Sequence, residues 1–350
     1  MISVVVPTYN ERENLLELVE RLDSVLKHTP YELIVIDDNS PDGTWGLAER
    51  LAERYPIKVI KRERRDGLAS AVIRGFEEAE GDVLVVMDAD LQHPPELIPK
   101  LVKKLKDADI VVASRYVEGG GVKGWSTFRK LVSKGATLLA KLFLTSVNDP
   151  MSGFFALKRS VIEGVRLEPK GYKILLEILV KGRYSKVAEV PYIFEARKEG
   201  RSKLGFAQYL DYLKHLIALL RFKGEFKRVA KFAAVGASGI IVNEGVLFAL
   251  TEFAHLYYII SALLGIELSI VSNFMFNDLW TFKDRRSRTK FLVRLIKANS
   301  GYGAGVVINL AALFIFTEFF GIWYILSNLI AIFITFLWNL LISVGWIWRR

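Results

Sequence analysis

Residues 83–93 read Val83-Leu84-Val85-Val86-Met87-Asp88-Ala89-Asp90-Leu91-Gln92-His93, an apolar, β-branched run that breaks without transition into two acids and an amide. A short apolar run with no polar alternation predicts a strand covered on both faces, the kind found in parallel sheets. In extended chain alternate side chains point the same way, so Asp88 and Asp90 leave the carboxyl end of that strand together. The chain carries its own control. Asp107-Ala108-Asp109 has the same spacing, but it precedes the apolar run Ile110 to Ser114 and so falls at the opposite edge of such a sheet.

On either side, Ile2 to Val6, Leu33 to Ile36, Ile57 to Ile60 and Ile110 to Ser114 are further β-rich runs separated by stretches with helical spacing. The alternation predicts an α/β domain built on an open, mainly parallel, Rossmann-like sheet. Ligands of such sheets bind beyond the carboxyl ends of the strands. Those ends deliver Pro7-Thr8-Tyr9-Asn10-Glu11, Asp37-Asp38-Asn39-Ser40-Pro41-Asp42-Gly43-Thr44 and the segment from Asp88 to Gln92. The chain has no Cys and four His, which excludes disulfides and cysteine metal sites and disfavours a histidine zinc site. Oxygen donors alone select Mg²⁺ or Mn²⁺, and Mg²⁺ is commonly held by one or two carboxylates plus substrate phosphates. A diphosphate substrate is therefore expected. Neither Gly-x-x-x-x-Gly-Lys-Ser/Thr nor a Gly-x-Gly-x-x-Gly after the first strand is present. Their absence argues against an ATPase and a dinucleotide enzyme and leaves a nucleotide used as a leaving group.

Two solvents are implied by the charge distribution. Up to residue 228 there are 38 basic and 32 acidic residues, and beyond it 10 and 6. Stretches 232–254, 256–279, 299–320 and 322–348 are each long enough, at about 1.5 Å per residue, to cross a hydrocarbon core of roughly 30 Å. A soluble domain, 1–228, followed by an all-α transmembrane domain of four helices, 229–350, is the expected organisation. Lys283, Arg285, Arg286, Arg288, Lys290, Arg294 and Lys297 lie between the second and third spans, and Arg349 and Arg350 follow the fourth. The other two connections carry no Lys or Arg, so the first domain and both termini are expected in the cytoplasm. Met1 to Pro7 has no basic n-region and too short an apolar run for a signal peptide. Gly239, Asn243, Leu247 and Phe248 recur at equal spacing as Gly305, Asn309, Leu313 and Phe314, which reads as a duplicated hairpin. Glu244 and Glu267 are expected to face the bundle or a wet groove, in interhelical hydrogen bonds.

Residues 1 to about 228 resemble the polyprenyl-phosphate glycosyltransferases of the GT-A fold, most closely the dolichyl-phosphate mannose synthases. The resemblance rests on Val6 to Glu11, Asp37 to Thr44, Met87-Asp88-Ala89-Asp90-Leu91-Gln92-His93-Pro94-Pro95, Ser114-Arg115-Tyr116, Asp149-Pro150-Met151-Ser152-Gly153-Phe154-Phe155 and Gly200-Arg201-Ser202-Lys203-Leu204, in that order. The membrane part is similar, more loosely, to small four-span GtrA-like proteins through Asn273-Phe274-Met275-Phe276-Asn277-Asp278-Leu279-Trp280-Thr281-Phe282. The resemblance implies transfer of mannose from GDP-mannose to dolichyl phosphate at the cytoplasmic face, with Mg²⁺ or Mn²⁺. It places Asp88, Asp90 and Gln92 on the metal and Pro7, Tyr9, Glu11, Asp37, Asp38 and Asp66 around the nucleotide, without separating Asp37 from Asp38. Arg115, Arg129, Arg201 and Lys203, with Ser133, would receive the lipid phosphate and part of the donor diphosphate. His93 is expected as a turn residue rather than a ligand.

An acceptor phosphate is anionic near neutral pH and needs no strong general base, so cations that neutralise the leaving diphosphate become the main requirement. A single inverting displacement giving a β-linked product is expected. Two amphipathic segments, 126–144 and 204–222, are expected at the membrane interface. The first sets Phe128, Leu131, Val132, Leu138, Leu139 and Leu142 opposite Arg129, Lys130, Lys134 and Lys141; the second carries Tyr209, Leu213, Leu216, Ile217 and Leu220. The net charge of +10 has no nucleic-acid motif to accompany it. The rivals are a glycosyltransferase using UDP-glucose and a substrate-binding lipid flippase. A processive polysaccharide synthase is disfavoured because its Gln-x-x-Arg-Trp is missing, Gln occurring only as Gln92 and Gln208.

Overall fold

A computed structural model describes residues 1–168, 173–195 and 206–349. The chain divides into two compact units, Met1–Lys223 and Gly224–Arg350. The division falls before residue 228 because a helix beginning at Phe226 runs unbroken to Glu252.

In the first unit the order is β1 (Ile2–Thr8), α1 (Arg12–Leu26), β2 (Tyr31–Asp37), α2 (Thr44–Ala52), β3 (Ile57–Lys61), α3 (Leu68–Glu78) and β4 (Val83–Val86). There follow α4 (Ile98–Lys104), β5 (Ile110–Ser114), β6 (Gly121–Lys123), α5 (Thr127–Phe143) and β7 (Phe155–Lys158). Then come α6 (Ile174–Lys181), β8 (Val187–Pro191), β9 (Ile193–Glu195) and α7 (Phe206–Phe222). Seven strands form one sheet in the order β3-β2-β1-β4-β7-β5-β8. Every pair is parallel except those of β7, which runs against β4 and β5. A separate parallel pair joins β6 to β9.

All seven residues of β1 are buried, and successive side chains enter opposite cores. Val4 and Val6 pack with Leu15, Leu18 and Leu22 of α1, whereas Val5 packs with Val72 and Phe76 of α3. A sheet covered on both faces needs such a largely apolar strand, with Ser3 and Thr8 satisfied by hydrogen bonds. Strand order reverses between β1 and β4, so the loops after those strands part and leave a crevice at their carboxyl ends. Three residues there are left-handed without being glycine: Asn10 (φ 57), Asn39 (φ 57) and Leu91 (φ 60). Asn tolerates this region, but Leu is strained in it, and strain of that kind gathers at functional turns.

The second unit contains α8 (Phe226–Glu252), α9 (Tyr258–Phe276), α10 (Phe291–Phe314) and α11 (Tyr324–Ile342). With π-helical extensions on the last three, the helices Phe226–Glu252, Tyr258–Thr281, Phe291–Phe319 and Tyr324–Ile347 are long and apolar enough to cross a membrane. The first and third start earlier than residues 232 and 299 because their first turns absorb paired basic side chains. Arg228 meets Glu225 at 2.7 Å. Arg294 is not a loop charge: it is buried against Asp278.

The two hairpins repeat one packing device. A methyl on Gly239 would overlap the Asn273 amide, and a methyl on Gly305 would overlap that of Asn339, so a glycine lets the two helices of each hairpin approach closely. Phe282 and Trp348, which occupy matching positions after the two repeats, stack on each other at 4.6 Å. Glu267 accepts an interhelical bond from the Asn299 amide. Both Glu244 and Glu267 nevertheless lie on exposed helix faces rather than inside the bundle, with Asn243 donating to Glu244 at 3.2 Å.

Candidate active site

The loops after β1 and β2 are bolted to each other by short polar side chains. Asn10 N–H donates to Ser40 Oγ at 3.0 Å and Glu11 N–H to Thr44 Oγ1 at 3.1 Å. Asp37, fully buried, accepts from Thr8 Oγ1 at 2.8 Å, from Ser40 Oγ at 2.6 Å and from Ser40 N–H at 2.8 Å. Its carboxylate is thus committed to bracing these loops, which separates the two aspartates the sequence could not distinguish. Asp38, also buried, is not used in this bracing and instead pairs with Arg62 Nη1 at 2.9 Å. Burial pushes its carboxyl up while Arg62 pulls it down. Arg62 also reaches Asp66, at 3.4 Å, and Asp66 holds Arg64 at 2.8 Å. Pro7 is buried in β1, Glu11 accepts from the Asn14 amide at 2.8 Å, and Tyr9 lies beneath the Arg65 guanidinium at 4.2 Å. Tyr9, Glu11, Asp38 and Asp66 therefore belong to the loops that follow β1, β2 and β3, with Pro7 inside β1 just before them.

Beyond β4 the chain turns at Asp88. Its N–H donates to His93 Nδ1 at 2.9 Å, and the imidazole is buried against Phe154 at 5.2 Å, with Tyr192 and Phe194 edge-on. His93 is therefore a residue of the turn, and its packed ring braces the acidic segment at Asp88. Gly153 makes room, since a Cβ there would press on His93 and on Asp88 Oδ2, at 3.2 and 3.3 Å. Burial raises the Asp88 carboxyl; His93 and Lys173 oppose that, while Asp90 and Glu11 add like-charge repulsion. Asp90 accepts from Gln92 N–H at 3.1 Å, and the Gln92 amide nitrogen is tied to the Glu195 carbonyl at 2.5 Å.

Among the described residues no three His, Cys, Asp or Glu side chains converge on one point. Two carboxylates and one amide oxygen are what the turn offers. That donor set fits a hard divalent ion sharing its sphere with substrate phosphates, and the negative charge crowding Asp88 is what such an ion relieves.

From Asp88 a cavity of about 300 Å³ extends to Arg115, Arg129, Ser133, Lys173 and Tyr212. Arg115 is almost fully buried and grips Asp149 through Nε at 2.8 Å and Nη2 at 2.7 Å. Its charge is largely compensated there. Arg129 stacks on Trp125 at 4.3 Å, and Ser133 Oγ meets the Tyr116 hydroxyl at 2.8 Å. Lys173, at the start of α6, donates to the Met151 carbonyl at 3.0 Å. Burial, with help from Arg115 and Arg129, pushes its amine down to about 8, against the pull of Asp149 and Asp88. Sequence reasoning missed Lys173, since a lysine ahead of a helix reads as a solvated charge. Arg201 and Lys203 lie outside the described residues, as does Leu204.

Two helices border this cavity. On α5, capped by Ser126, Val132 and Ala136 line it while Leu138 is exposed. On α7, Leu216 and Leu220 turn inward while Leu213, Ile217 and Phe222 remain exposed, so the expected single apolar face divides into two. The side chains of Phe128, Leu131 and Tyr209 lie outside the description.

Residues 3–166 match the model of glycosyl transferase family 2, and residues 231–348 that of the GtrA/DPMS transmembrane domain. A dolichol-phosphate mannosyltransferase of Pyrococcus furiosus is 50% identical over 339 residues, covering 96% of each chain. One of Saccharomyces cerevisiae is 42% identical over 236 residues, 63% of this chain and 87% of that one. Among solved structures, glucosyl-3-phosphoglycerate synthase from Mycobacterium tuberculosis, in complex with Mn²⁺, UDP-glucose and phosphoglyceric acid, is 23% identical with a TM-score of 0.48, over 64% of this chain and 79% of that one. The chain is an integral membrane protein of the dolichol-phosphate mannosyltransferase family, a GT-A glycosyltransferase unit followed by a GtrA/DPMS transmembrane domain.

Proposed function

We propose that this protein transfers mannose from GDP-mannose to dolichyl or another polyprenyl phosphate, with inversion, giving a β-linked mannosyl phosphate. The observation that carries the reading is the cavity lined by Asp88, at the acidic turn, together with Arg129, Ser133 and the half-buried Lys173. Anion-binding groups and an acidic oxygen donor line one cavity, which suits bringing an acceptor phosphate toward a donor diphosphate. Asp88, Asp90 and Gln92 would hold Mg²⁺ or Mn²⁺, which when bound supplies charge neutralisation for the leaving diphosphate.

The chain's own groups do the rest. Asp38 and Asp66, steered by Arg62, meet the nucleoside, with Tyr9 and Glu11 beside it. Arg129, Ser133 and Lys173 hold the lipid phosphate, and Arg115, oriented by Asp149, contributes a residual positive field. Arg201 and Lys203 are assigned to the same phosphates by their motif. An acceptor phosphate oxygen attacks C1 of mannose as the bond from C1 to the GDP oxygen breaks, so one displacement inverts the anomeric centre. No proton need be removed from the nucleophile, and preorganised cations lower the barrier.

The exposed apolar residues Leu138, Leu213 and Ile217 suit docking of α5 and α7 on a bilayer. The basic segment between the second and third spans supports a cytoplasmic location for the catalytic unit and both termini. Transfer assays with GDP-mannose, UDP-glucose and UDP-GlcNAc on one polyprenyl phosphate test the donor, and NMR of the product tests stereochemistry. Preference for GDP-mannose and a β-linkage are expected; preference for UDP-glucose or an α-linked product would refute the reading.

A further inference from the structure

Glu177 and His215 face each other across the junction of α6 and α7, Oε2 to Nε2 at 3.5 Å, with 1% and 3% of their side-chain surfaces exposed. A carboxylate so deep is costly unless it is paired. Its other oxygen, Oε1, accepts from Lys181 Nζ and from the backbone N–H of Glu168, both at 2.7 Å, while Oε2 faces the His215 imidazole without a hydrogen bond. Burial opposes ionisation of Glu177, but His215, Lys181 and the Glu168 N–H outweigh it and hold the carboxyl below its ordinary range.

Neither side chain lines the cavity, yet each sits one turn from one that does. Lys173 is the N-cap of α6, four residues before Glu177. Tyr212 stands one turn before His215 on α7, lines the cavity and donates its hydroxyl to the Ala136 carbonyl of α5 at 2.9 Å. The helix it reaches, α5, also supplies Arg129 and Ser133. Three helices thus meet around the cavity, and the contact between α6 and α7 has a buried polar core where an apolar one would have sufficed for adhesion alone. A buried acid and imidazole 3.5 Å apart are best accommodated facing each other, which ties the rotation of one helix to the other more than apolar packing alone does.

We propose that Glu177 and His215 are positioning residues: they lock α7 onto α6 and thereby hold Tyr212 and Lys173 in register as the acceptor-side wall of the cavity. The inference rests on reading that cavity as the acceptor-phosphate site. A well-placed wall acts on acceptor binding, whereas the nucleotide loops lie on other elements.

The test uses the full-length protein in detergent, measuring acceptor KM, kcat and the GDP-mannose Kd below the melting temperature of each variant. His215→Leu is expected to raise acceptor KM about tenfold while leaving the donor Kd within about twofold. His215→Gln, whose amide can donate to Glu177, should recover most of that loss. Tyr212→Phe removes a single hydroxyl at little risk to folding, should shift acceptor KM the same way, and should add little when combined with His215→Leu. Equal losses in donor and acceptor binding, or a lowered melting temperature with unchanged acceptor KM, would overturn the inference. Absence of transfer by the unmodified protein would instead sink the proposed function, and the inference with it.

Discussion

Arg294 reaches Asp278 with both prongs of its guanidinium, Nε at 2.8 Å and Nη2 at 3.1 Å, and both side chains are almost fully buried. Trp348 Nε1 donates to the same carboxylate at 2.9 Å, and Arg286 approaches it at 3.2 Å. The start of the third span, the end of the second and the end of the fourth are thereby joined at one acid. Asp278→Ala leaves Arg294 buried without its partner and is expected to cost about 3–5 kcal/mol. Thermal unfolding in detergent measures this; Asp278→Ala with Arg294→Met should recover much of the loss, and a single variant that melts with the parent would show the pair to be idle.

Asp90→Asn is expected to lower turnover at least about a hundredfold, on the order of 3 kcal/mol at the transition state. Asp107→Asn, in an exposed turn, should be close to silent. Steady-state kinetics of the two side by side check the strand-end reasoning, which fails if they behave alike.

Asp109 shows what the decoy triplet is for. Its carboxylate accepts from the backbone N–H groups of Ser185 and Lys186, at 2.9 and 3.2 Å, and pairs with Lys158 at 3.0 Å. The Ser185 N–H and Lys158 hold the carboxyl below its ordinary range. A depressed folded-state value means that the stabilisation is complete above the unfolded value near pH 4 and is lost as pH falls through the folded one. Asp109→Asn should therefore lower the melting temperature at about pH 7 and converge with the parent at about pH 2. A gap that persists unchanged into acid would exclude ionisation as its source.

Much of the fold could be read directly. Runs such as Val83 to Met87 are legible because a strand buried on both faces leaves no polar alternation to confuse with a helix. Phe155–Lys158 was not legible: four residues give no period, and its antiparallel insertion between β4 and β5 depends on long-range packing. Within the candidate site, Asp88 and Asp90 were legible as candidates through their position at a strand end. Lys173 and the ring stack around His93 did not, because their partners are distant in sequence and no spacing rule links them. Asp37 and Asp38 could be told apart only once Ser40 and Thr8 were seen to consume the former.

Removal of residues 224–350 separates chemistry from membrane attachment. The remaining unit should still transfer mannose to a short-chain, detergent-soluble acceptor, with weaker binding to vesicles. Complete loss of transfer by a folded fragment would favour the rival in which the first unit only binds substrate.

Dependence of transfer on a divalent ion at the tip of β4 is best probed with labelled GDP-mannose and a short polyprenyl phosphate, using full-length protein before chelation, after it, and after Mg²⁺ or Mn²⁺ is restored. Transfer should fall to background with chelator and return with either ion in the parent, but not in Asp88→Asn or Asp90→Asn. Undiminished transfer in chelator, or full recovery by those variants, would mean that the acidic turn does not work as described.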